Sequence, residues 1–272
     1  MTIIIIIDTF GGLCNQFYDI NCTINFCLIN NFNFSFRYCS YRNNDLKTWY
    51  NKNCEDLFDC SIFKKYKNYI EFNTLKLDEN NTFNFSGKKS NQLFTNNYLN
   101  EIKQISHKFV VLKQFNVTYN FHTIIDNINP FILPSKRLID IYRNIKDELL
   151  NINEEYNFIH YRYETDFISF FKIKIDSLEN IISNVKPLFK NPDLKIYIAT
   201  SNIKNIINTN NNVYDKIISK NEDKLNNYNF EELAFIDYMF GLNSNEVYGH
   251  SKSSFSTMLN SLKSTNNYYD LK

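Results

Sequence analysis

The stretch IIIIIDTFGGLCNQFYDI, residues 3–20, decides the fold class. Five consecutive isoleucines closed by Asp8 are stiff at χ1 and favour extended backbone. An unbroken apolar run of this length is the pattern of a strand buried on both faces. Gly11-Gly12 supply a tight turn. Phe17, Ile20, Ile24 and Leu28 then recur at helical spacing, which predicts a helix over residues 15–29. A strand, a glycine turn and a helix in this order open nucleotide-binding α/β folds.

Downstream, the aromatic, Asn-rich residues 31–100 predict only scattered short elements. Residues 109–115 read as another strand. Pro130 and Pro134 mark a boundary, giving an N-terminal domain over residues 1–134 and a C-terminal domain over 135–272. Ser135 would cap a helix carrying Leu138, Ile141, Tyr142, Ile145 and Leu149. Strands are then expected at 158–162, 194–199, 216–219 and 246–248. Helices are expected at 176–185, where Asp176 and Glu179 have capping-box spacing, and at 202–207, 231–240 and 254–262. This alternation argues for a parallel, doubly wound sheet.

Composition narrows the function classes. The 272 residues carry 30 Lys+Arg against 29 Asp+Glu, a net charge of +1, so the basic footprint of a dedicated nucleic-acid binder is missing. No window supplies the roughly 20 apolar residues of a membrane span, and residues 3–7 are too short a run for a signal peptide; a cytoplasmic protein is expected. The six cysteines, at 14, 22, 27, 39, 54 and 60, lack metal-ligand spacing, and reduced, buried thiols are expected. Asparagine, with 45 residues, reflects an AT-rich gene more than function. With only five glycines and five arginines in the chain, the positions of these two residue types carry more information, and sequons such as 116–118 carry little.

In open α/β sheets ligands bind beyond the carboxyl ends of the strands, and three polar clusters fall there. The first is Gly11-Gly12-Leu13-Cys14-Asn15-Gln16, where glycine lets backbone approach a ligand and a helix start favours phosphate. The second is His160-Tyr161-Arg162-Tyr163-Glu164-Thr165-Asp166. Strand alternation would send His160, Arg162 and Glu164 to one face, and Arg162 offers a fork for phosphate. The third is Gly249-His250-Ser251-Lys252-Ser253-Ser254-Phe255-Ser256, whose hydroxyls and free N–H groups suit a phosphate. Each has a plain reading too: a tight turn, a salt-bridged strand end and a serine cap.

In this order the clusters resemble the GDP-fucose-dependent fucosyltransferase superfamily, the protein O-fucosyltransferase branch most of all. The first matches its G-G-x-x-N-Q loop and His160-x-Arg162-x-Glu164-x-Asp166 its H-x-R-x-E-x-D motif. Ile198-Ala199-Thr200 resembles its I-A-T strand end. Asp237, Glu246-Val247-Tyr248-Gly249 and Ser253-Ser254-Phe255-Ser256 resemble its last motif. The α1,2-fucosyltransferases share the first and last elements but usually carry R-R-G-D after the histidine. The resemblance implies an α/β, GT-B-like fold, with two Rossmann-like domains facing a nucleotide-sugar cleft and the N-terminal domain trimmed.

It further implies an inverting, metal-independent glycosyltransferase moving fucose from GDP-fucose to a glycan or protein hydroxyl, with no cofactor. Arg162, Glu164 and Asp166 would be catalytic. Gly11, Gly12, Asn15, Gln16, His160, Thr200, Ser201, Asp237, Ser253, Ser254, Phe255 and Ser256 would bind the donor. Ser201 stands where the family often has Asp, which leaves open another nucleotide sugar or a non-catalytic nucleotide- or glycan-binding module. Asp8, Asp19, Glu164 and Asp166 are the candidate bases for an acceptor hydroxyl.

Overall fold

The computed structural model describes residues 3–43, 48–86, 96–113, 133–201, 214 and 216–270. The helix expected at 202–207 and the sequon at 116–118 lie outside them. The chain divides into two compact units, Met1–Lys136 and Arg137–Lys272.

In the first unit the isoleucine run forms β1 (Ile4–Asp8), buried along its whole length. β1 pairs in parallel with β2 (Asn33–Arg42) and β5 (Phe109–Lys113). β4 (Thr82–Ser86) joins β5 in parallel, and β3 (Trp49–Asn53) returns antiparallel along β2. The order is β3-β2-β1-β5-β4, so the run that is apolar on both faces takes the centre. Helix α1 (Leu13–Ile29) follows β1 and is buried on most sides. Two of its interior polar side chains bond within the helix: Asn21 Nδ2 donates to Phe17 O and Thr23 Oγ1 to Asp19 O. All six cysteines are buried. A further helix, α2, spans Asn96–Lys103.

In the second unit β6 (Tyr156–His160), β7 (Lys195–Ala199), β8 (Ile217–Ile218) and β9 (Val247–Tyr248) form an all-parallel sheet of order β8-β7-β6-β9. Around it lie α3 (Lys136–Leu149), α4 (Thr165–Phe171), α5 (Leu178–Val185), α6 (Phe230–Asn243) and α7 (Ser254–Leu262). On one face Ile159, Ile196 and Ile198 pack against Ile181, Ile182 and Val185 of α5. Aromatic rings occupy another part of the core: Tyr197 stacks on Phe240 at 4.0 Å and runs parallel to Phe158 at 5.8 Å.

Two local expectations are corrected. Ser177, not Asp176, caps α5, its hydroxyl accepting from the Asn180 N–H. β6 ends at His160 rather than Arg162, so strand alternation does not govern Arg162 and Glu164. No described helix is long and apolar enough to cross a membrane.

Candidate functional site

In the first unit the turn after β1 is built around Gly11 and Gln16. Gly11 has φ +93°, a conformation that costs glycine little and other residues much. Gln16 is fully buried, and its amide is spent on the loop. Nε2 donates to Gly11 O (2.9 Å) and Ser40 O (2.7 Å), while Oε1 accepts from Thr9 Oγ1 (2.6 Å) and the Ser40 N–H (3.2 Å). The side chain expected to touch a donor therefore ties the loop to β2. Asn15 is half-buried against Gly11. Gly12 caps α1 with no side-chain hydrogen bond, and the first turn of α1 has no acid.

Arg42, at the end of β2, places Nη2 3.5 Å from where a Cβ on Gly12 would stand, and its guanidinium lies over Trp49. This buried cation beside the glycine loop was missed in the sequence; the scarcity of arginine was the available signal. Of the candidate bases here, Asp8 is held by Arg37 through both carboxylate oxygens (2.9 and 2.5 Å). Asp19 is buried and accepts the Phe10 N–H at 3.0 Å. Burial pushes its carboxyl well above the ordinary value. A separate cavity of about 240 Å³ in this unit, among Glu55, Asp59, Lys64, Glu71 and Ser135, contains none of the expected site residues.

In the second unit the strand ends bring most of the expected residues together. His160 closes β6, opposite Ala199 of β7. Its Nδ1 shares a 2.8 Å hydrogen bond with Ser256 Oγ, and its ring lies 4.3 Å from that of Phe255. Gly249 makes this contact possible. A Cβ there would sit 2.2 Å from Ser256 Oγ and 2.5 Å from Ser256 Cβ, closer than atoms can approach. Burial drives the His160 pKa well below its usual value, and the charges of Arg162, Lys220 and His250 add to the effect.

Arg162 follows on the loop into α4. Its Nε lies 3.2 Å from Glu164 Oε2 and its Nη2 3.1 Å from Asp166 Oδ2, with Phe167 beneath the guanidinium at 5.3 Å. The two acids and the ring fix its plane. Ser253 caps α7 without a side-chain hydrogen bond, and the first turn of α7 has no acid. By contrast, α5 and α6 carry side-chain caps and first-turn acids. The starts of α1 and α7, beside the two clusters, thus keep the positive end of the helix dipole uncompensated by either device.

Thr200 and Ser201 continue from β7. Tyr163 OH donates to Ser201 O at 2.8 Å. Asp237, on α6, is buried and accepts from Tyr197 OH (2.8 Å) and Lys220 Nζ (2.5 Å). Lys220 and Asp270 are further residues missed in the sequence. Asp270 accepts from the Ser251 N–H (2.7 Å) and Ser251 Oγ (2.5 Å), fastening the loop before α7. Neither sits in a recognisable motif. Chemically, the strand ends of the second unit offer one oriented guanidinium, an imidazole whose pKa is held low, hydroxyls and the first-turn backbone N–H groups of α7, a set suited to an oxyanion. Among the described residues no three His, Cys, Asp or Glu side chains are grouped to hold a metal ion.

The fold is that of the GT-B fucosyltransferases. POFUT1 solved in complex with GDP superposes with a TM-score of 0.66 at 11% identity, over 98% of this chain and 98% of that one. POFUT1 solved in complex with GDP-fucose gives 0.65 at 11% identity, over 97% and 94%. The fucosyltransferase NodZ from Bradyrhizobium gives 0.60 at 11% identity, over 95% and 92%. No protein-family model and no curated protein matches the sequence.

Proposed function

We propose that the protein is a fucosyltransferase that uses GDP-fucose and transfers the sugar, with inversion and without a metal ion, to a glycan or protein hydroxyl. The observation that carries this reading is Arg162, oriented by Glu164 and Asp166 just beyond the carboxyl end of β6, an inner strand of its sheet, and close in sequence to His160. It joins a fold shared with POFUT1 and NodZ, whose solved structures include complexes with GDP and GDP-fucose.

In this reading Arg162 binds the diphosphate and stabilises the charge that develops on GDP as the bond to fucose breaks. A fixed guanidinium does so without reorganising at the moment of reaction. The N–H groups and hydroxyls of Ser254, Phe255 and Ser256 complete the phosphate cradle. Glu164 and Asp166 act on Arg162 and are positioning residues. His160, Thr200, Ser201 and Asp237 flank the nucleoside end. Asp8 and Asp19 are poorly disposed to take the acceptor's proton, the first because Arg37 engages both its carboxylate oxygens and the second because it is buried against the Phe10 N–H.

The test is release of GDP from GDP-fucose with added acceptor glycans, in the presence of a chelator. The wild-type protein transfers fucose with an inverted anomeric centre by NMR, and Arg162→Ala loses the activity. Turnover of a UDP-sugar instead would reassign the donor.

A further inference from the structure

Lys220 is an almost fully buried ammonium at the carboxyl end of β8, its side chain 3% exposed. Nζ donates to Asp237 Oδ2 at 2.5 Å and to the Thr200 carbonyl at 3.2 Å. The other oxygen of Asp237 accepts from Tyr197 OH at 2.8 Å, and Tyr197 is itself packed against Phe158 and Phe240. One side chain thus joins the ends of β7 and β8 to α6. The preceding residue braces the same strand, with Ser219 Oγ donating to Ile198 O at 2.8 Å.

A buried ion pair is a poor way to gain stability, because desolvating two charges offsets their attraction and well-packed apolar side chains often do as well. What such a pair provides is fixed geometry. This one is placed where an open α/β sheet binds ligands, and both groups it holds, Thr200 and Asp237, belong to the expected nucleotide end. We infer that Lys220 is a positioning residue, setting the place of the Thr200–Ser201 turn and of the Asp237 carboxylate from beneath the site. The inference rests on the nucleotide-sugar reading for its functional consequence, but its structural consequence needs no ligand.

The experiment compares Lys220→Met with Ile181→Ala, which opens a cavity in the core of the same unit. Hydrogen exchange of residues 196–201 is measured without ligand, and GDP affinity by calorimetry. The expected result is exchange in 196–201 at least about tenfold faster in Lys220→Met than in Ile181→Ala, and GDP binding weaker by about tenfold, the scale of one buried polar group left unpaired. Ile181→Ala keeps wild-type GDP affinity. If Lys220→Met fails to fold, Lys220→Met/Asp237→Leu removes the stranded charge, and the exchange comparison is made there. Equal exchange in 196–201 for the lysine variant and the cavity control overturns the inference. Failure of the wild-type protein to bind GDP overturns the fucosyltransferase reading, while the exchange result still decides Lys220.

Discussion

The His160 imidazole and the Ser256 hydroxyl are hydrogen-bonded at 2.8 Å across 96 residues of sequence. This contact locks the end of the inner strand β6 to the first turn of α7, so two of the three sequence clusters become one site. The backbone permits it at a single point, where Gly249 has no Cβ.

Gly249→Ala should therefore disrupt the site. The new methyl would collide with Ser256 Oγ and Cβ, and the backbone on which they sit cannot give way cheaply. A loss of about 1–3 kcal/mol in denaturant unfolding is expected, together with loss of nucleotide binding. Gly12→Ala is the control: its φ is −61° and the nearest atom is 3.5 Å away, so unfolding stability should stay within about 0.5 kcal/mol of wild type.

His160 gives the site an acid limit. Its folded pKa is depressed, so the unfolded chain binds the proton more readily once pH falls below the ordinary value of 6.5. The stabilising contribution is fully present above that value and is lost as pH falls through the window beneath it. Buried His250, whose pKa is also lowered, acts in the same direction. Unfolding free energies measured between pH 7.5 and 5 should fall with acid, and His160→Gln should fall less steeply.

Asp19 has the opposite sign. Its folded pKa is raised by burial, so its contribution is full below the ordinary value of 3.8 and declines as pH rises above it. Asp19→Asn keeps an acceptor for the Phe10 N–H and removes the ionisable group. The variant should be more stable than wild type at pH 7, and the advantage should vanish near pH 4. Equal stability of the two proteins at pH 7 would contradict this account of Asp19.

Gln16→Leu tests whether the buried amide serves the loop or a ligand. Four hydrogen bonds are lost inside a buried turn, and groups of Ser40, Gly11 and Thr9 each lose a partner. Destabilisation of about 3 kcal/mol is expected. A variant with wild-type stability would show that the turn does not need the amide.

Much of this was legible because the decisive residues are chemically extreme. The run of five isoleucines could be little other than a central strand, and alternating elements after Ser135 gave the parallel sheet of the second unit. The three clusters stood out against a composition poor in Gly and Arg. Other features were hidden because they are tertiary. Lys220, one of many lysines, gains its meaning from Asp237 and Thr200, and Asp270 from Ser251. Arg42 became visible only once β2 was paired beside β1. The placing of Glu164 beside Arg162 was expected from strand alternation, but β6 ends at His160 and it is the turn into α4 that brings them together.

Calorimetric titration of GDP and UDP into the wild-type protein and Arg162→Ala, in a chelator, tests the central claim most directly. The account predicts that wild type binds GDP in preference to UDP, and that Arg162→Ala weakens GDP binding by about tenfold or more, as expected for losing a charge-assisted contact to phosphate. GDP binding that is absent from the wild type, or unchanged by the substitution, would contradict it.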